Sequence, residues 1–205
     1  MKMMSPTVGA VALAAILAAP LAANAESTFQ TGAGALTATA RVDFTITIPK
    51  VLFLRVGTGT NYATNAAIDL ITFTVPAANV GNNVAVAGTG GDLTGGAVTA
   101  IVRGNAGNIT LSAATAGAIN NGAAGDTIDW TQITTTPTTL TTGTVLAAPA
   151  LSNATTTITL TAVNKVVNQD ARWTYAYANA NVVPAGTYGG VGVNNGRVTY
   201  TASLP

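Results

Sequence analysis

Between Ala38 and Ile48 the chain alternates without a break. Ala38, Ala40, Val42, Phe44, Ile46 and Ile48 are apolar, and Thr39, Arg41, Asp43, Thr45 and Thr47 stand between them. A pleated strand puts every second side chain on one face, so this period excludes an amphipathic helix and predicts a half-buried strand. Pro49 interrupts the run, because proline cannot donate to a ladder and sits at edges, strand starts or bulges. Lys50 to Val56 resumes the extended pattern, which predicts one long strand with a kink at Pro49, where the chain can change sheets. Phe44, Ile46 and Ile48 are expected in the core, as part of the domain's own first strand.

The N-terminus has a different character. Lys2 is followed by an apolar run from Val8 to Ala23, and Ala23-Asn24-Ala25 forms a small-x-small site before Glu26. This is the pattern of a secretory signal peptide over residues 1–25, too short and wrongly flanked for a stable membrane span. Export is therefore expected, with a mature chain that is long enough for one domain with a proper core. Residues 26–36, rich in Gly and small side chains, read as a flexible tail, and residues 37–205 as the domain. Fully extended, the tail would reach about 30 Å at about 3.3 Å per residue.

With Lys2 lost, seven basic and seven acidic side chains remain, so the mature chain is formally neutral. Arg41, Arg55, Arg103, Arg172 and Arg197 are scattered, so the basic footprint of a nucleic-acid binder is missing. The surface has to be built from Thr, Asn, Ser, Ala and Gly. Such a surface has little charge repulsion to keep copies apart and suits a protein that assembles. The chain has neither cysteine nor histidine. Disulfides, His-based nucleophile pairs and the commonest transition-metal ligand are thereby excluded. No catalytic residue, cofactor, metal or small-molecule substrate is assigned.

The rest of the chain reads as short extended segments between Gly, Pro and Asn turns. The main ones are Ala67–Val75, Asn83–Ala87, Ala97–Arg103, Asn108–Ala113, Asp126–Thr134, Thr139–Ala147, Thr155–Val163, Arg172–Ala178, Thr187–Val193 and Arg197–Leu204. Gly104-Asn-Ala-Gly107 and Asn194-Asn-Gly196 are hairpin signals. About ten strands with turns every 8–12 residues or so predict an all-β, Ig-like or jelly-roll sandwich. The same alternation admits an outer-membrane β-barrel, but the aromatics are too few for two girdles.

Two groups invite a chemical reading. Asp126 and Asp129 lack the dense acidic spacing of an EF-hand and are assigned to turns and caps. Trp173, Tyr175 and Tyr177 alternate on one strand, the usual pattern of a sandwich core. Together with Trp130, the pair Trp173 and Tyr175 could instead form a platform for carbohydrate, which defines the alternative of a monomeric surface or periplasmic binding module.

The C-terminal stretch WTYAYANANVVPAGTYGGVGVNNGRVTYTASLP carries a further signal. Trp173, Tyr175, Tyr177, Pro184, Ala185, Gly186, Thr187, Tyr188, Val198 and Tyr200 resemble the last strands of bacterial fimbrial and related cell-surface β-sandwich subunits. The flexible tail leading into an alternating strand is similar to those families as well. The resemblance spans about a third of the mature chain. It departs from many pilins in having no disulfide and in placing Tyr200 five residues from the last residue.

The resemblance implies a structural subunit of an extracellular fimbria, a homopolymer in which the tail of one copy adds a strand to the next. It also implies passage through the periplasm with a chaperone and an outer-membrane secretion machinery as partners. The donor residues are then Phe29, Thr31, Ala33, Ala35 and Thr37, and the acceptor edge Val198, Tyr200, Ala202 and Leu204.

Overall fold

The structure is a computed structural model that describes residues 26–141 and 143–205. The expected signal peptide lies outside the described residues. The chain divides after Ile48 into two units, Met1–Ile48 and Pro49–Pro205.

The second unit is all-β. Its strands are β1 (Leu52–Val56), β2 (Ile71–Thr72), β3 (Val86–Ala87), β4 (Thr89–Gly90), β5 (Ala97–Gly104), β6 (Ile109–Ala114) and β7 (Ile119–Asn120). They continue as β8 (Thr127–Ile128), β9 (Ile133–Thr138), β10 (Thr144–Val145), β11 (Thr156–Leu160), β12 (Val167–Tyr177) and β13 (Thr199–Ser203). The principal sheet runs β1-β5-β12-β10, with β9 and β3 also paired to β12. The second sheet runs β11-β6-β13, and two small pairs, β2-β4 and β7-β8, complete the set. The inward faces of the two main sheets share one core, which makes this a sandwich-type fold rather than a single closed ring.

β12 is the organising strand. Its odd-numbered residues Val167, Ala171, Trp173, Tyr175 and Tyr177 are buried and the intervening residues are not, so period two in the sequence becomes one face on the core. Antiparallel β5 covers one side from Val167 to Thr174, and antiparallel β9 the other from Arg172 to Tyr177. Trp173 is fully buried, and its indole N–H donates to the Leu146 carbonyl at 2.8 Å. Its ring lies 5.2 Å from that of Tyr200 on β13, bridging the two sheets. β5 has no alternation in sequence because both of its faces are covered: Ala97 through Val102 are all buried.

Three sequence expectations are corrected. Ala97–Arg103 and Asn108–Ala113 do not form a hairpin; β5 and β6 lie in different sheets. Residues 105–108 are a corner between layers, and Gly104 permits it, since a Cβ there would stand 2.8 Å from Ile109 Cδ1. Thr187–Val193 forms no strand, because Gly189, Gly190 and Gly192 all adopt positive φ. The expected first strand, Ala38–Ile48, is not a strand of the sandwich: no residue from 26 to 51 is in a β-strand.

β1 is held to β5 by more than its ladder. Asp92 accepts from the Thr99 amide at 2.8 Å and pairs with Arg55 at 3.1 Å. Arg55 also donates to the Gly57 carbonyl. Asn179, a buried polar residue, accepts from the Gly81 amide and donates to the Asn79 carbonyl, which ties the 76–83 loop to the end of β12.

Two measurements check this core. Trp173→Ala is expected to cost about 3–5 kcal/mol by opening a cavity and orphaning the Leu146 carbonyl, read as a lower urea midpoint; a loss below about 1 kcal/mol would remove Trp173 from the centre. The Tyr175 and Tyr200 hydroxyls meet at 3.1 Å. Burial pushes both phenols up, Tyr200 to about 12. Stability carried by these neutral phenols is complete below the ordinary tyrosine value and declines as pH rises from there through about 12. Ultraviolet titration should show Tyr175 and Tyr200 among the late-ionising tyrosines, their ionisation accompanied by unfolding.

Candidate functional site

Two features of the molecule lack a structural explanation in its own fold: an exposed apolar segment and an incompletely covered sheet edge.

The first lies in residues 26–48, all of which are exposed. Glu26 and Arg41 form a two-pronged ion pair at 2.6 and 2.9 Å, and the Thr28 hydroxyl donates to the Thr39 carbonyl at 2.8 Å. Both contacts share one register, centred on a bend at Ala33 and Gly34. The Arg41 guanidinium holds the Glu26 carboxyl below its ordinary value. The predicted donor residues Phe29, Thr31, Ala33, Ala35 and Thr37 thus occupy the bend and arms of a loose fold-back. Phe29 is 90% exposed, and its neighbours in the predicted donor set are small or polar.

Beyond Arg41 the segment runs on to Ile48 without a strand partner. Val42, Phe44, Ile46 and Ile48 are 75–86% exposed. The core placement expected for Phe44, Ile46 and Ile48 is therefore corrected. Period two establishes that one face is apolar; it does not say which surface will cover it. Each such side chain gains about 1.5–3 kcal/mol on full burial, so this row is the largest unused apolar resource near the N-terminus. Nothing in the Gly-rich tail before it is comparable.

The second feature is the free edge of β13. Among the described residues β13 pairs only with β6, so one side of its backbone has no ladder there. Tyr200 and Ala202 point inward from this strand, flanked by Val198 and Leu204, and all four pack against the core while staying half-buried. β1, the edge of the other sheet, runs alongside, and its inward residues Leu54 and Val56 are also half-buried, with Leu52 39% exposed. The other flank contrasts with this one: Ile133, Leu146, Leu151 and Leu160 are all buried. The sandwich is closed on one side and thinly covered on the other. All four predicted acceptor residues thus fall on this one edge.

Around the start of β1 the backbone is clamped. The Asn105 side chain donates to the Pro49 carbonyl at 2.8 Å and accepts from the Val51 amide at 2.8 Å. The Lys50 ammonium donates to the Pro205 carbonyl, which places the end of β13 beside the beginning of β1. Sequence reading gave Asn105 only a turn role, and nothing in its local pattern signals a contact more than fifty positions away.

The aromatic platform is corrected as well. Trp130, Trp173 and Tyr175 are buried, and their polar atoms are engaged inside, Trp130 with the Gly117 carbonyl at 3.1 Å. Asp126 accepts from Asn121 and Asp129 from Asn153, so both serve loop structure. Among the described residues no group of three or more potential metal ligands occurs. No helix among them is long and apolar enough to cross a membrane. No family model, curated protein or solved structure matches the chain.

Limited proteolysis checks the difference between the two units. On the monomer, a broad-specificity protease is expected to cut within residues 38–48 at least about tenfold faster than anywhere in residues 52–204, because extended, unpaired backbone needs no opening step. Equal cleavage rates would mean that the segment is covered.

Proposed function

We propose that the mature chain is a secreted structural subunit that builds an extracellular filament by β-strand donation. Residues 42–48 of one copy add a strand to the free edge of β13 in the next copy. The observation that carries this reading is the row Val42, Phe44, Ile46 and Ile48, exposed in strict period two just ahead of the sandwich.

A segment of that kind has two halves to its chemistry. Its backbone offers unpaired N–H and C=O groups to a sheet edge, and its apolar face offers alternate side chains to a core. The edge at β13 lacks both. Because donor and acceptor are different surfaces, each added copy presents a fresh donor, and the contact propagates instead of closing. The near-neutral surface puts little charge repulsion between copies. An open edge beside an exposed apolar strand is also an aggregation hazard during export. Cover by a periplasmic chaperone, then hand-over to an outer-membrane secretion machinery, would manage that hazard.

The structure favours donation by 42–48 over the tail set from Phe29 to Thr37, since the tail residues are mostly small and folded back. A monomeric carbohydrate-binding module loses support, because its three proposed contact residues lie in the core. An enzymatic role has little to draw on, since seven carboxylates without histidine or cysteine leave little acid–base capacity.

Phe44→Asp in the mature chain is expected to abolish filaments in electron micrographs and the ladder of unheated SDS gels, with unchanged far-ultraviolet dichroism. Phe29→Asp should leave both intact. Filaments that survive Phe44→Asp would exclude residues 42–48 as the donor.

A further inference from the structure

We propose that a cleft on the sandwich, built around Arg103 and Tyr62, binds the carboxylate of a uronic-acid unit in an acidic polysaccharide. The site lies wholly within the unit Pro49–Pro205 and does not depend on the filament reading.

Strand register assembles it. Phe53 on β1 stands opposite Arg103 on β5, and Arg103 stands opposite Asn168 on β12, so the three share one face of the principal sheet. That face is the one turned away from the buried row of Trp173, Tyr175 and Tyr177. Tyr62 reaches it from the loop after β1. Its ring centroid is 5.1 Å from that of Phe53 and 5.3 Å from the Arg103 guanidinium carbon. Beside them opens a cleft of about 450 Å³, with Val51 and Val166 among its apolar walls. That volume falls in the range of small-ligand sites.

The guanidinium is both positioned and uncompensated. Its Nε donates to Asn168 Oδ1 at 3.0 Å and its Nη1 to the Tyr62 hydroxyl at 3.2 Å, which fixes the plane of the fork. Among the described residues Arg103 has no ion-pair partner, and no Asp or Glu lines the cleft. Asp170, further along the same face of β12, is held by the Thr141 amide and hydroxyl. Nη2 and the second Nη1 hydrogen are left over, and planar donors of this kind match the two oxygens of a carboxylate. One cation suits a singly charged group better than a phosphate, which carries nearly two charges.

Tyr62 supplies the other half of the recognition. It occupies the third position of a turn closed by the Ala63 amide on the Thr60 carbonyl, with φ at 60°, where Gly or Asn is the usual residue. A bulky side chain is costly there, and such outliers gather at ligand clamps. The outcome is a ring that stays 64% exposed beside the guanidinium. The apolar face of a pyranose covers an aromatic ring of this kind, while its hydroxyls accept from the Asn168 amide nitrogen. An acidic peptide strand fits less well, because the Val51 amide at the cleft is already given to Asn105.

The test titrates trigalacturonate into the full mature chain by calorimetry, with its methyl ester, maltotriose, a sulfated trisaccharide and an Asp-rich peptide as parallel arms. Trigalacturonate is expected to bind saturably and at least about tenfold more tightly than the ester, which lacks the charge that strengthens the hydrogen bonds. Arg103→Gln should weaken binding about tenfold or more. Arg103→Lys, which keeps the charge but loses the fork, should bind nearly as poorly. Tyr62→Asn removes the ring while suiting the turn, and should weaken binding about fivefold. Thermal melts establish that each variant is folded; if Arg103→Gln is not, the other two decide.

The absence of saturable binding would overturn the inference. Equal binding of the ester, the sulfated sugar or the peptide would do the same, as would folded Arg103→Lys and Tyr62→Asn proteins that bind like the wild type. None of these results bears on strand donation.

Discussion

The packing of Trp173 between the two sheets is the contact on which the rest of the fold depends. Its strand, β12, pairs with four others, and its side chain reaches across to Tyr200 on the opposite sheet. With no disulfide and no metal cluster among the described residues, cohesion has to come from apolar burial around this strand and from its ladders. The indole N–H could have been a liability in such a place. Its bond to the Leu146 carbonyl removes the cost of burying it and draws the β10 segment onto the core.

Once β12 is central, the two flanks of the sandwich have unequal fates. On the β9, β10 and β11 side, connecting segments supply Leu146 and Leu151, and the core closes over them. On the β1 and β13 side Leu54, Val56, Tyr200, Ala202 and Leu204 stay half-buried, and Leu52 is exposed. Four apolar side chains of suitable size and spacing stand exposed on residues 42–48 of the same chain. This exposed row and the half-buried edge are the two observations that support the proposed assembly over a ligand-binding role. The weak charge content works in the same direction, since no ion-pair pattern is needed to bring copies together.

Much of the architecture was legible in the sequence. Alternation over Trp173, Tyr175 and Tyr177 gave the core face of β12, and the extended reading of Ala97–Arg103 matches β5. Reading failed where the outcome depends on distant partners. The Gly-Asn-Ala-Gly signal after β5 marks a reversal correctly, but a hairpin and a corner between sheets have the same local turn chemistry. Ala67–Val75 looks like a full strand and pairs only at Ile71 and Thr72, because Gly90, its partner, leads straight into a tight glycine turn. Asn105 and Asn179 could not be recognised, as each is defined by backbone groups far away in sequence.

The alternating stretch from Ala38 to Ile48 separates the two kinds of information. By itself the sequence determined that every second residue here is apolar and that Pro49 ends the run. Those are properties of local geometry, fixed by where successive side chains point along a pleated backbone. Tertiary structure alone decided that these residues form no strand and that their apolar side chains are exposed. Burial requires a partner surface, and both ladder edges of the central strand β12 are taken by strands of the second unit.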